Sequence, residues 1–313
     1  MSNPNTPPPL LEPVTTPAAT VPPTTTTASV EDAATASTLV RRSWSRFQDG
    51  NRRVQIGAGI IIVLLLAGLA LPLPHDPLTT SADILHAPGG DHIMGTDQLG
   101  RDVFARTVRA ARLDLPLVIG STLASVIVGV GLGLLVSTRS RLSEWVMRGL
   151  DIFQAFPMLV LAMVIVAVAG NSRAMVIVAL ALISFPMFLR LVRAEALALR
   201  ESRFIEAAVA IGATRRQVLR YHMLPNVTGV ILVNAAVTAS RAILMIAALS
   251  FLGIGVEPPT PSWGLMMQEG SQSLVAGDWW VSFFPGLGVL LVGLGFNLLG
   301  DGLEQVTGRG SRG

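Results

Sequence analysis

The chain has no cysteine, and all 23 of its cationic residues are arginine, because lysine does not occur anywhere in its 313 residues. Without thiols there are no disulfides, iron–sulfur clusters, cysteine–zinc sites or thiolate nucleophiles. Without lysine there is no P-loop, which needs an amine on the phosphates, and no Schiff-base chemistry. The chain therefore neither hydrolyses ATP by the P-loop route nor holds a cofactor as an imine, and no cofactor is expected on it. Charge is scarce as well: 14% of residues are charged, 51% are apolar, and the net charge is only +3. An ordinary soluble domain is about 25% charged. These proportions describe a chain made for lipid, and nucleic acid is not an expected partner.

Residues 1–50 begin with Pro, Thr, Ala and Ser, and up to about residue 40 they carry almost no charge and no apolar run. Such a segment buries too little surface to offset chain entropy, so it reads as a disordered tail, either plain solvated chain or a Pro-rich docking segment. With no basic stretch leading into an apolar one near Met1, it does not read as a signal peptide.

From Ile56 onward long apolar runs appear, of the length that a hydrocarbon core of about 30 Å demands at about 1.5 Å per residue. There are six: Ile56–Leu73, Leu115–Val136, Phe153–Ala169, Ala174–Leu191, Val227–Ile254 and Val281–Leu299. The third and fourth are separated only by residues around Asn171-Ser172-Arg173 and predict a tight helical hairpin. The expected fold is an all-α membrane protein with six transmembrane helices spanning residues 51–305, followed by a short tail, 306–313. Trp145, Trp263, Trp279 and Trp280 stand near predicted span ends, where indoles anchor at the membrane interface.

Arginine placement predicts orientation, because loops rich in arginine stay cytoplasmic. With the N-terminus inside, the inner segments hold most of the arginines, among them Arg41, Arg42, Arg193, Arg215, Arg216 and Arg220. The outer segments hold Arg101, Arg106, Arg109, Arg112 and Arg173, and the loop Gly255–Trp280 has none. Both termini are thus expected on the cytoplasmic side of the cell membrane.

The inner segment 192–226 is longer than a simple connection needs. Within it Phe204, Ala208 and Ile211 recur at helical spacing, with Ile205 and Val209 beside them, which predicts a short amphipathic helix. Gly212 follows at a position suited to a left-handed helix cap, and Pro225 suits the first turn of the next span. Such a helix is either a handle for a soluble partner or an interfacial helix lying on lipid headgroups, and physics alone leaves the two even.

The residues here carry a resemblance. Glu206-Ala207-Ala208, then Gly212, then Leu224-Pro225, resembles the EAA loop of ABC-importer permeases, with His222 standing where the general pattern has isoleucine. Met94-Gly95-Thr96-Asp97-Gln98-Leu99-Gly100-Arg101-Asp102 is similar to the GTDxxGRD segment of the peptide and nickel branch, and Ala111-Arg112-Leu113-Asp114-Leu115 to the segment that follows it. Asp151 with Ala155-Phe156-Pro157, Leu249–Gly253, Pro258–Gly264 and Phe296–Leu303 continue the likeness in order, over about residues 50–305.

The resemblance implies the C-type permease subunit of a dipeptide, oligopeptide or nickel importer. It further implies a homologous second permease subunit, two ATP-binding subunits carrying ATP and Mg, and an extracytoplasmic solute-binding protein. Glu206, Ala207, Ala208, Gly212, Leu224 and Pro225 would then dock on an ATPase subunit, and the chain itself would have no catalytic residue. The remaining classes are a stand-alone gated pore or a secondary carrier, although neither internal repeats nor several intramembrane charges are seen.

Asn234, Thr238 and Arg241 follow i, i+4, i+7 in the fifth run and place one polar stripe inside the membrane. The stripe reads equally as a translocation path that would receive a peptide carboxylate or as polar contact between helices. Where related permeases often carry a glutamate near this region, this chain has Ile246. Gly129, Gly131 and Gly133 lie in an apolar span with no strand before them and read as close helix packing rather than a nucleotide loop. His75, His86 and His92, with Asp76, Asp83 and Asp91, match no compact metal-ligand pattern and read as solvated loop residues or helix caps.

Overall fold

A computed structural model describes residues 27–137, 140–200, 202–214 and 217–307; side chains are described from residue 48 onward within these ranges, except those of 200, 204 and 207–209. Met1–Trp44 and Ser45–Gly313 form two contact units, each considered by itself. Among the described residues there is no strand, only helices and connections. That is the outcome lipid imposes, because a spanning segment must satisfy its own backbone groups.

The helices are α1 (Thr27–Ala70), α2 (Val103–Leu135), α3 (Arg141–Gln154), α4 (Met158–Ala169), α5 (Arg173–Arg200), α6 (Arg203–Ala210), α7 (Leu224–Phe251), α8 (Trp263–Ser271) and α9 (Trp280–Val306). A π-helical segment, Val218–Met223, leads directly into α7. α1 begins at Thr27, where alanines favour a helix, and residues 1–26 lie outside the described part.

Five helical stretches are long and apolar enough to cross a membrane: Gln48–Ala70, Val103–Leu135, Arg173–Leu199, Val218–Phe251 and Trp280–Val306. The third expected run is broken instead. α3 and α4 meet at 91°, and α4 has only 12 residues, about 18 Å of helix against a core of about 30 Å. Pro157 causes the break, since it offers no amide hydrogen and pushes the preceding residue out of the helical region. A sixth span exists only if the bent pair is counted as one. The expected hairpin is present: α4 ends at Ala169, Gly170 turns the chain with φ +107°, and α5 begins at Arg173.

The core draws Leu115 and Val118 from α2, Ala162 and Val166 from α4, Ala179 and Leu180 from α5, Ile243, Ile246 and Leu249 from α7, and Val292 from α9. The outward faces are apolar too, with Val63, Ile127, Leu244 and Leu290 all more than half exposed, an arrangement that water would penalise and lipid accepts. Between spans the hydrophobic driving force is absent, so close approach of backbones matters more. α2 and α5 achieve it at Gly129 and Gly133: a Cβ at Gly129 would lie 2.5 Å from Phe188 Cβ, and one at Gly133 would lie 2.9 Å from the Leu189 carbonyl oxygen. Gly131, on the other face, would meet nothing within 4 Å.

The arginine-free loop Gly255–Trp280 contains α8, whose Trp263 is 1% exposed. Trp263 and Trp280 are therefore core residues rather than interfacial anchors, each indole N–H donating to a carbonyl, of Thr107 at 2.9 Å and of Thr96 at 3.1 Å. Trp145 and Trp279 remain exposed, as anchors would be.

The glycine contact yields a direct test. Gly129→Ala must overpack the α2–α5 contact, a change of about 1–3 kcal/mol, and should lower the thermal unfolding midpoint of the purified protein in detergent. Gly131→Ala should leave the midpoint unchanged.

Candidate functional site

At one end of the bundle α5 runs out of the membrane region and turns into α6. The Ser202 backbone carbonyl accepts the Ile205 amide at 3.0 Å and the Glu206 amide at 3.3 Å, closing the first turn. Ile205 then inserts beside Ala196 of α5 and Val218 and Met223 of the π segment, with Leu199, Ala213 and Leu219 around them. This small core fixes α6 to two spans at once.

Arg203, Glu206 and Gly212 are left facing out, and Ile211 is 87% exposed. The apolar face expected through Ile211 is thus incomplete, because α6 stops at Ala210 and Ile211 stands in the turn beyond it. The side chains of Phe204, Ala207, Ala208 and Val209 lie outside the described ones. Gly212 has φ +92° with open space where a Cβ would stand, so its requirement is backbone conformation, not room.

Pro225 is in the first turn of α7, but the chain is already helical from Val218. The Leu224 amide donates to the Leu219 carbonyl, five residues back, and this widened turn makes room for the proline that follows. Asn226 Nδ2 donates to the His222 carbonyl at 2.6 Å. Leu224 and Pro225 are exposed on the side of the helix away from Met223.

The polar stripe does not share one environment. Thr238 is buried, its hydroxyl 4.0 Å from Met187 Sδ of α5, and half-buried Asn234 donates to its own helix at the Val230 carbonyl, 2.9 Å away. Arg241 is exposed and makes no ion pair among the described residues. Its exposure sets Arg241 apart from Thr238, which is packed between helices.

The opposite end, about 40 Å away along α5, holds a buried charge network that the sequence pattern did not single out. Asp97 accepts from the Leu99 and Arg101 amides, both at 2.9 Å, and from Arg101 Nε at 2.7 Å. Arg101 Nη2 and Arg106 Nη2 both donate to Glu269 Oε2, at 2.9 and 3.1 Å. Gln98 Nε2 adds bonds to the Glu269 carbonyl and to Ser273 Oγ, tying the segment before α2 to α8.

Asp114, fully inside, accepts the Trp263 amide at 2.8 Å and so caps α8 from 149 residues away. Asp102 caps α2 through the Ala105 amide at 2.6 Å, while its other oxygen meets His92 Nδ1 at 2.8 Å. His86 stands apart, with Nδ1 on the Ala87 carbonyl. A signal for the network did exist: Arg101 and Arg106 fall in a stretch that the arginine count expects outside, where arginines are few, and once buried each guanidinium needs a carboxylate.

Comparison with known proteins fits this arrangement. Residues 125–309 match the family model described as the binding-protein-dependent transport system inner membrane component. The chain belongs to that family. It is 37% identical to the dipeptide transport system permease protein DppC of Alkalihalophilus pseudofirmus, over 88% of this chain and 91% of the relative. It is 36% identical to the glutathione transport system permease protein GsiD of Pectobacterium atrosepticum, over 85% and 89%. It is 38% identical to the di/tripeptide transport system permease protein DppC of Pseudomonas aeruginosa, over 79% and 85%. The permease is thus a multi-pass membrane component that serves translocation and is not itself an enzyme. The matched family region contains both α6 and the stripe on α7, and the relatives extend the likeness over most of the chain.

The charge network predicts its own fragility. Asp97→Ala leaves Arg101 and Arg106 short of a carboxylate in a buried site, a loss of about 3–5 kcal/mol. The unfolding midpoint should fall sharply, and segment 74–102 should become protease-sensitive. Asp76→Ala, at an exposed turn, should change neither.

Proposed function

We propose that the permease is a transmembrane subunit of an ATP-driven importer of dipeptides, oligopeptides or related small solutes, and that α6 is the handle through which separate ATPase subunits drive it. The observation that carries this reading is the brace at Ala196, Ile205, Val218 and Met223: α6 cannot move without moving α5 and α7, while Glu206 and Ile211 remain available to a partner. Peptide-type solutes are supported by the relatives, which are named as dipeptide, di/tripeptide and glutathione permeases.

In this reading Glu206, Ala207, Ala208, Gly212, Leu224 and Pro225 form the docking surface, with Glu206 meeting a cation and Ile211 an apolar pocket of the ATPase. ATP and Mg reside on two such ATPase subunits, as a chain without lysine requires for P-loop chemistry. A solute-binding protein delivers the solute at the end that carries the Asp97 and Glu269 network, and a homologous second permease completes the path. Both termini then face the cytoplasm. Arg241 makes no ion pair among the described residues and points into the shared path or at the partner permease, with Asn234 and Thr238 on the same helix. A cation there attracts the carboxylate that every peptide carries.

ATP binding draws the ATPase subunits together and moves their docked handles. Because each handle is braced to two spans, the movement reaches the path as a rigid tilt rather than as local bending.

Two variants test the proposal. Gly212→Asp forces a side chain into a left-handed conformation, a strain of about 1–3 kcal/mol confined to the loop. Purified in mild detergent, the wild type should bring a second permease and ATPase subunits with it. The variant should stay folded with the permease partner, its melting temperature lower by only a few degrees, but lose the ATPases and all uptake. Arg241→Gln should retain every subunit and lower dipeptide uptake by about tenfold or more. A wild-type chain that purifies alone and passes solute without ATP would overturn the proposal in favour of a pore or carrier.

A further inference from the structure

Between Ala70 and Val103 the chain has no regular helix, yet three of its side chains converge from positions far apart in sequence. His75 lies just beyond α1, His92 lies in a tight turn, and Asp102 is the N-cap of α2. Their nearest ligand atoms all lie within 4.8 Å of one another. His92 Nδ1 is 2.8 Å and His75 Nδ1 3.6 Å from the same oxygen, Asp102 Oδ2, and the two rings stand 4.7 Å apart with a 35° tilt.

Around a tetrahedral ion with metal–ligand distances of about 2.0–2.1 Å, neighbouring ligand atoms are about 3.3 Å apart, and the two observed distances bracket that value. The supports are also in place. Asp102 is nearly inaccessible, with side-chain exposure of 2%, and its Oδ1 is committed to the Ala105 amide, which orients Oδ2 toward the two rings. His92 is held by backbone bonds from its amide to the Gly89 carbonyl and from the Gly89 and Gly95 amides to its own carbonyl. His75 Nδ1 is shielded from solvent and has no hydrogen-bond partner, an uncommon condition for a ring nitrogen and one that a bound cation relieves.

We propose that His75, His92 and Asp102 form a site for a borderline divalent cation of the Zn2+ type, which clamps the end of α1 to the head of α2. Two imidazole nitrogens and one carboxylate oxygen suit such an ion, whereas Ca2+ and Mg2+ call for oxygen donors throughout. Three protein donors leave one position of a tetrahedral ion for a water. The role is structural: the ion joins the two ends of a segment that lacks secondary structure and holds it beside the Asp97 network. The site stands independently of which solute is carried.

The test uses the full-length protein in detergent with whatever subunits accompany it, stripped with a chelator and titrated with Co2+ and then Zn2+. The wild type should bind one Co2+ per chain with the intense visible absorption of four-coordinate cobalt, lose it to one equivalent of Zn2+, and gain protease resistance in segment 75–102. His75→Ala keeps the His92–Asp102 contact and the α2 cap, so folding is not at risk, and should bind about a hundredfold more weakly or worse. His92→Gln should do the same, and His86→Ala should match the wild type. Metal held elsewhere in the preparation is common to all variants and cancels. Equal Co2+ binding by the wild type and His75→Ala, or none by the wild type, would overturn the site and leave His92–Asp102 as a hydrogen-bonded cap.

Discussion

A guanidinium buried at a membrane-protein surface must find a carboxylate, and much of one end of this molecule is arranged by that requirement. Arg106 is 0% exposed and Arg101 4%, so neither is neutralised by water. Asp97 answers from the same segment and Glu269 from α8, and the second answer forces two stretches far apart in the chain into a single body. Asp114 repeats the device with opposite polarity, its carboxylate buried so that it can cap α8. These contacts explain why a segment without regular structure between α1 and α2 nonetheless has a defined form.

The other end is built on a different principle. The brace around α6 is apolar and small, and it holds a helix of only 8 residues whose outer face is polar or exposed. A helix that short has little stability of its own and depends on its packing. Stability for α6 therefore comes from α5 and α7, and that packing is the ground on which it is proposed as a handle. Between the two ends the α2–α5 contact at Gly129 and Gly133 keeps the backbones close enough for a displacement of one span to be felt by the next.

Much of this was legible in the residues. Apolar run length marked every long span, since a bilayer sets a length that sequence must meet, and the Asn171 hairpin followed from the brevity of its polar interruption. The glycines of α2 read as packing because nothing before them formed a strand. Gly212 announced a left-handed turn, since that conformation nearly always demands glycine. Three readings failed for an identifiable reason. The third run looked continuous because hydropathy counts Pro157 as one residue among many, whereas geometry treats it as a corner. Trp263 and Trp280 looked like interfacial anchors because an indole suits both lipid headgroups and a core that offers a carbonyl. Ile211 fitted a helical period that the backbone ends one residue earlier.

What the sequence determined by itself was the solvent, the long helices, the family pattern and the exclusions: no thiol chemistry, no lysine and so no P-loop. These depend on composition and on neighbours within a few turns. Only the tertiary structure decided which charges meet. Glu269 with Arg101 and Arg106, Asp114 with Trp263, and His75 with His92 and Asp102 are joined by pairings over long separations, and nothing in local spacing encodes such a pairing. It emerges when the spans pack, because that is when each buried polar group must find its partner or go without.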